Sequence, residues 1–206
     1  IMRARQYFKR AIEVDPRHGP AYNAYAMMEV RLGNVVRACE VYEECVSLCV
    51  GTVSVYQGYA QLMMQRGEND CARDLLRAGV QLTREETVFL WHSWIMLEVR
   101  LKNVQEAERV MRSALRRYPN NSRILVSAGL ASACSGAVPV KAEDGVLSHF
   151  ERAREYFRRA VLADPKQAQA WQTWGLFESR QLNHDAARAL FKRGLRLSPN
   201  HGALWQ

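Results

Sequence analysis

In the stretch AWQTWGLFE, the apolar residues Ala170, Trp171, Trp174 and Phe177 fall at i, i+1, i+4 and i+7. That spacing gathers them on one stripe of an α-helix and leaves the polar residues on the opposite face. A polar turn, QLNHD, follows. A second stripe comes next, Ala187, Leu190, Phe191, Gly194 and Leu195, whose small members let two helices approach closely. The pattern predicts a helical hairpin. Pro16, Pro119, Pro165 and Pro199 are placed to stop the second helices, because proline cannot continue a helix interior. Asn34, Asn103 and Asn183 share one place in the turn and are expected to cap the second helix. Glu106, three residues after Asn103, adds a capping-box pattern.

The hairpin recurs. The aromatic anchors Tyr22, Tyr56, Trp91, Trp171 and Trp205 are separated by 34, 35, 80 and 34 residues. The small residues Ala4, Ala38, Ala72, Ala107, Ala153 and Ala187 are separated by 34, 34, 35, 46 and 34. Two landmarks with one period identify a repeat. A lone hairpin cannot bury its apolar stripe, so neighbours must stack. The predicted fold class is all-α, a right-handed α-solenoid of tandem hairpins. One array is expected over residues 1–206, about five units with partial ends.

The fourth unit departs from the pattern. Leu125, Ala128 and Ser132 stand where the others carry two aromatics and a glutamate, and about a dozen extra residues, near 135–146, are inserted in its turn. Gly136, Pro139 and Gly145 predict a loop there. Neither end carries a polar capping repeat, which is expected of an excerpt from a longer array.

Composition narrows the class. The 206 residues are 48% hydrophobic and 24% charged, ordinary for a soluble repeat domain. No apolar run is long enough to span a membrane, and the basic, amphipathic start IMRARQYFKR has no signal core. The net charge of +8 favours nucleic acid, acidic partners or anionic surfaces. Arginine outnumbers lysine, which suits phosphate contact and stacking. The cysteines Cys39, Cys45, Cys49, Cys71 and Cys134 are odd in number, without disulfide or metal-site spacing, and are expected to be buried free thiols.

The series Trp171, Gly175, Ala187, Phe191, Gly194 and Pro199 has the spacing of tetratricopeptide repeats, which it resembles. The second tryptophan, Trp174, and Glu178 depart from that pattern. Trp-x-x-Trp-x-x-x-Glu followed by Ala-Arg-x-x-Phe-x-Arg-Ala/Gly and Pro looks like the half-a-tetratricopeptide (HAT) family. The Trp91 and Trp171 units match well and the Tyr22 unit matches with tyrosines. The Tyr56 unit has Met63 in place of the glutamate, and the fourth unit hardly matches. HAT proteins act in RNA metabolism, and the near-constant spacing looks most like the chloroplast mRNA maturation and stability factors. The resemblance implies a chloroplast location, with the nucleus as the alternative.

Candidate binding residues lie on faces that packing leaves over. In such a solenoid the first helices line the concave groove, where the residue after the anchor and the one eight further along should point. These are Asn23, Gln57, His92, Val126 and Gln172, then Arg31, Gln65, Arg100, Cys134 and Arg180; Arg66 adjoins Gln65. Amides and imidazole can meet base edges, and arginine can meet phosphate or stack. The reading is single-stranded RNA held along the groove by Asn23, Arg31, Gln57, Gln65, Arg66, His92, Arg100, Gln172 and Arg180. The alternative is a protein–protein scaffold within a ribonucleoprotein complex. A secondary basic row, Lys9, Arg77, Arg112, Arg158 and Lys192, is broken by Glu43 and flanked by Arg10, Arg159 and Arg193; it reads as a solvated convex face. No His-Glu-x-x-His, Gly-x-Ser-x-Gly or P-loop occurs, which argues against an enzyme. No metal, cofactor, membrane or small-molecule substrate is implied.

Overall fold

The computed structural model describes residues 2–48, 52–82, 87–134 and 148–197. Within them lie eleven α-helices: α1 (Met2–Val14), α2 (Gly19–Arg31), α3 (Val35–Ser47), α4 (Val53–Arg66), α5 (Asn69–Leu82), α6 (Val88–Arg100), α7 (Val104–Arg117), α8 (Ser122–Cys134), α9 (His149–Ala163), α10 (Ala168–Arg180) and α11 (His184–Leu197). The fold is all-α, as the periodicity predicts. The inserted loop, Cys49, Pro199, His201 and Trp205 lie outside the described residues.

The chain divides into two compact units, Ile1–Trp94 and Ile95–Gln206. In the first, α2 pairs with α3 and α4 with α5, and α4 stacks on both helices of the preceding hairpin. The anchors Tyr22 and Tyr56 are buried, with Tyr25, Tyr42 and Tyr59 beside them. The Tyr42 and Tyr59 rings stack with centroids 5.2 Å apart. In the second unit, α8 pairs with α9 and α10 with α11, and α10 packs on α8 and α9. Leu125, Phe157, Trp171 and Phe177 are buried in its core. The degenerate anchors Leu125, Ala128 and Ser132 are all buried on α8, so the fourth unit keeps the fold with smaller side chains. Gly129 explains how: a Cβ there would lie 2.6 Å from the Phe157 ring, so only glycine lets α9 seat so closely.

α1, α7 and α9 end just before Pro16, Pro119 and Pro165, as expected. The capping expectation is overturned. Asn34 and Asn103 precede α3 and α7, but neither side chain bonds to the helix it precedes. Their amides turn the other way, to buried carboxylates, because a hydrogen bond to an ionised acceptor is the stronger one. Glu106 likewise pairs with Arg109 and closes no capping box. The turns are instead closed by backbone: Asn34, Asn103 and Asn183 N–H each donate to the carbonyl five residues back at 2.9 Å. The preceding residue is left-handed in each case, Gly33 at φ 79°, Lys102 at 56° and Leu182 at 60°. A capping box does open α9, between Ser148 and Glu151.

Candidate interaction groove

What fixes α2 and α10 is a buried carboxylate near the end of each helix. Glu29 of α2 is fully buried and accepts two bonds from the Arg5 guanidinium of α1, at 2.7 and 2.8 Å, and one from Asn34 at 2.8 Å. Glu178 of α10 repeats this with Arg154 of α9, at 2.8 and 2.9 Å, and with Asn183 and the Trp174 indole, both at 3.1 Å. Arg5 holds the Glu29 carboxyl below its ordinary range despite burial. Burial alone would raise Glu178, but Arg154, Trp174 and Asn183 overcome it and keep its carboxyl below the usual value. The forked, bidentate geometry sets the angle between each second helix and the first helix that follows it.

The partner of this glutamate was missed in the sequence, although a signal exists. The arginine stands directly after the small-residue landmark, and the two members come and go together. Arg5 with Glu29 and Arg154 with Glu178 are 24 apart, and at the same places the second set has Cys39 with Met63. The fourth unit carries Glu108 with Ser132.

The groove of the first unit lies between α2 and α4, a cavity of about 360 Å³. Asn23, Arg31, Gln57 and Gln65 all line it, together with Tyr42 of α3. Residues four apart on a helix share a face, and a middle position sits between each expected pair: Met27 and Gln61, both lining the groove. This position was not anticipated. At the same register on α10, Leu176 stands between Gln172 and Arg180 and is exposed. The Tyr42 hydroxyl donates to Asn23 Oδ1 at 3.0 Å. Gly58 makes room for that bond, since a Cβ there would lie 2.5 Å from Tyr42 Oη and 2.6 Å from Asn23 Oδ1.

Arg66 does not line the groove. Its guanidinium lies 2.8 Å from Glu68 in its own hairpin turn and donates to Cys39 Sγ on α3 of the preceding hairpin. His92 and Arg100 lie on α6, half-buried and exposed respectively; Gln172 and Arg180 occupy the equivalent places on α10. Val126 is buried on α8, so the polar ladder is interrupted there.

Most of the secondary basic row is neutralised within its own helices. Arg77 pairs with Asp74 and lies over the Trp94 ring, Arg112 pairs with Glu108, and Arg158 forks onto Glu155. Lys9 and Lys192 are exposed. The expectation of buried thiols holds for Cys39 and Cys45, the latter pushed up to about 11 by burial, but Cys71 and Cys134 are exposed. Trp171 is buried and Trp174 half-buried, their rings stacked with centroids 6.5 Å apart. No helix among the described residues is long and apolar enough to cross a membrane.

Comparison with known proteins agrees with this geometry at the level of fold. The tetratricopeptide repeat model matches residues 1–47 and 146–202, a little over half of the chain. No curated protein matches the chain. Among solved structures, it is similar to YrrB, a TPR protein with an unusual peptide-binding site, at 18% identity and a TM-score of 0.54, covering 96% of this chain and 95% of that one. MamA from Desulfovibrio magneticus RS-1 is similar at 16% identity and a TM-score of 0.59, covering 89% and 97%. The type IV pilus biogenesis factor PilW is similar at 14% identity and a TM-score of 0.67, covering 98% and 89%. At these identities the structures speak to fold alone, and it is the repeat model that fixes the family: the chain belongs to the tetratricopeptide repeat family.

Proposed function

We propose that this chain is a protein-interaction scaffold whose first-helix groove takes an extended segment of a partner protein. The observation that carries the reading is the mixed chemistry between α2 and α4. Gln57, Gln61 and Gln65 offer paired donors and acceptors suited to an extended main chain, beside Asn23, whose amide is held by Tyr42 and Met27. Met27, Val30 and Leu62 lie among them, apolar surface for which a phosphodiester backbone has no use. Methionine also adapts to varied side chains. YrrB, of like fold, is described as having a peptide-binding site, an analogy that supports the reading without carrying it. Peptides selected from a displayed random library should bind the chain, and Gln57→Ala with Gln61→Ala should weaken them about tenfold, two lost hydrogen bonds of roughly 0.5–1.5 kcal/mol each. Selected peptides that ignore both changes would sink the groove assignment.

A second reading rests on Arg31 and Arg180. Both are exposed at the same register, and neither has a carboxylate partner among the described residues. With the net charge of +8 this supports single-stranded RNA on the first-helix faces of each unit. In that reading the chain is a HAT-type RNA-processing factor that protects or remodels transcripts, in the chloroplast or alternatively the nucleus. Replacing Arg31, Arg100 and Arg180 by alanine should then abolish most RNA retention and flatten its salt dependence.

A further inference from the structure

A cavity of the second unit lies away from the groove residues. It is a cleft of about 860 Å³ between α9, α10 and α11, on the side of the second helices. Arg158, Lys192, Arg193 and Arg196 rim it. Lys192 and Arg196 are exposed and have no carboxylate partner among the described residues. Two members of the secondary basic row, Arg158 and Lys192, thus meet at one concave place rather than on an open face. The charge at this register is not uniform along the chain: 149 residues earlier, Glu43 and Glu44 stand where Lys192 and Arg193 stand. There Glu44 accepts from the Tyr22 hydroxyl, whereas Arg193 lies over the Trp171 ring, 5.3 Å from its centroid.

The floor is apolar. Leu162, 64% exposed, and Leu197 open into it beside Leu190 and the edge of Trp174. The indoles offer no platform for a nucleobase. Trp171 is buried, with Arg193 on one side and Trp174 stacked against it, and the Trp174 N–H is committed to Glu178. Charge complementarity selects an anion, and the apolar floor with no free indole face favours a carboxylate-bearing peptide with an apolar anchor over a nucleic-acid strand. We infer that this cleft is a second docking site, for an acidic segment of a partner protein that carries a leucine or phenylalanine anchor. It lies apart from the groove residues and does not depend on what they bind.

The test uses the full chain and a fluorescein-labelled peptide alternating glutamate with leucine and phenylalanine, against a counterpart with serine in place of glutamate. Anisotropy should rise to saturation with the acidic peptide, weaken as salt is added, and barely change with the serine peptide. Lys192→Glu with Arg196→Glu, both at exposed positions, should weaken binding at least about tenfold, since two favourable ion pairs become repulsive. Leu162→Ser should weaken it by removing the anchor's seat, and Met27→Glu in the groove should leave it unchanged. Equal binding of the serine peptide, or indifference to both the charge reversal and Leu162→Ser, would overturn the proposal. So would displacement of the acidic peptide by oligouridine at lower concentration than by unlabelled peptide, which would make the cleft a nucleic-acid site.

Discussion

Replacing Arg154 by alanine strands the Glu178 carboxylate, which keeps only the Trp174 and Asn183 bonds while 3% exposed. Breaking a buried ion pair by removing one partner costs about 3–5 kcal/mol. The Arg154 side chain is 39% exposed, so water can enter where it lay, which lowers the expectation to about 2–3 kcal/mol. Glu178→Ala loses four hydrogen bonds and leaves a small cavity, about 3 kcal/mol, but frees Arg154 to turn to solvent. If Arg154 acts only through Glu178, the double variant should cost about as much as Glu178→Ala alone. The coupling would then be about 2–3 kcal/mol, against a simple sum near 5–6 kcal/mol. Urea denaturation followed by far-ultraviolet circular dichroism measures each corner of the cycle. Replacing both by the residues of the second set, Arg154→Cys with Glu178→Met, should recover part of the loss, because the apolar pair leaves no buried charge without a partner, although it is smaller. Additive single losses, with no recovery in the swap, would refute the bidentate brace as the element that orients α10.

Gly129→Ala should destabilise the second unit by about 1–3 kcal/mol, because its Cβ meets the Phe157 ring at 2.6 Å, and thermal melting should move down accordingly. Gly58→Ala should break the Tyr42–Asn23 bond and fill the groove, reducing peptide affinity more than it reduces stability. Glu29 and Glu178 are held below the ordinary carboxylate value. Their contribution is therefore fully present above an unfolded value of about pH 4.3 and is lost as pH falls through the lowered folded values. Glu29→Gln with Glu178→Gln should flatten that acid limb of an unfolding titration, and an unchanged limb would contradict the sign.

The aromatic and small-residue landmarks made the hairpins legible, because both sit on the buried stripe where the 34-residue period is enforced by packing. Prolines marked the helix ends for a steric reason that needs no tertiary context. The asparagines misled: a turn asparagine before a helix reads as a cap, and only the fold places Glu29 and Glu178 close enough to take it away. The arginine partners were hidden by distance along the chain rather than by chemistry, and their joint absence at Cys39 and Met63 is the trace that the sequence does carry. The groove was half legible. Exposed polar positions stood out, but Met27 and Leu176 look like core in a periodic pattern, and only the structure leaves them open. The cleft beside Trp174 was not legible at all, since its rim comes from two second helices that the sequence presents as one solvated row.

The central claim is that the groove serves a protein segment. Its most direct test is to measure one library-selected peptide and one oligouridine side by side on the purified chain, across a salt series, with Met27→Glu as the groove variant. The account predicts a saturable peptide complex that changes little with salt and weakens about tenfold in Met27→Glu, a loss of roughly 1.4 kcal/mol. Tight oligouridine binding that falls steeply with salt, with no peptide complex, would contradict it and establish the RNA reading in its place.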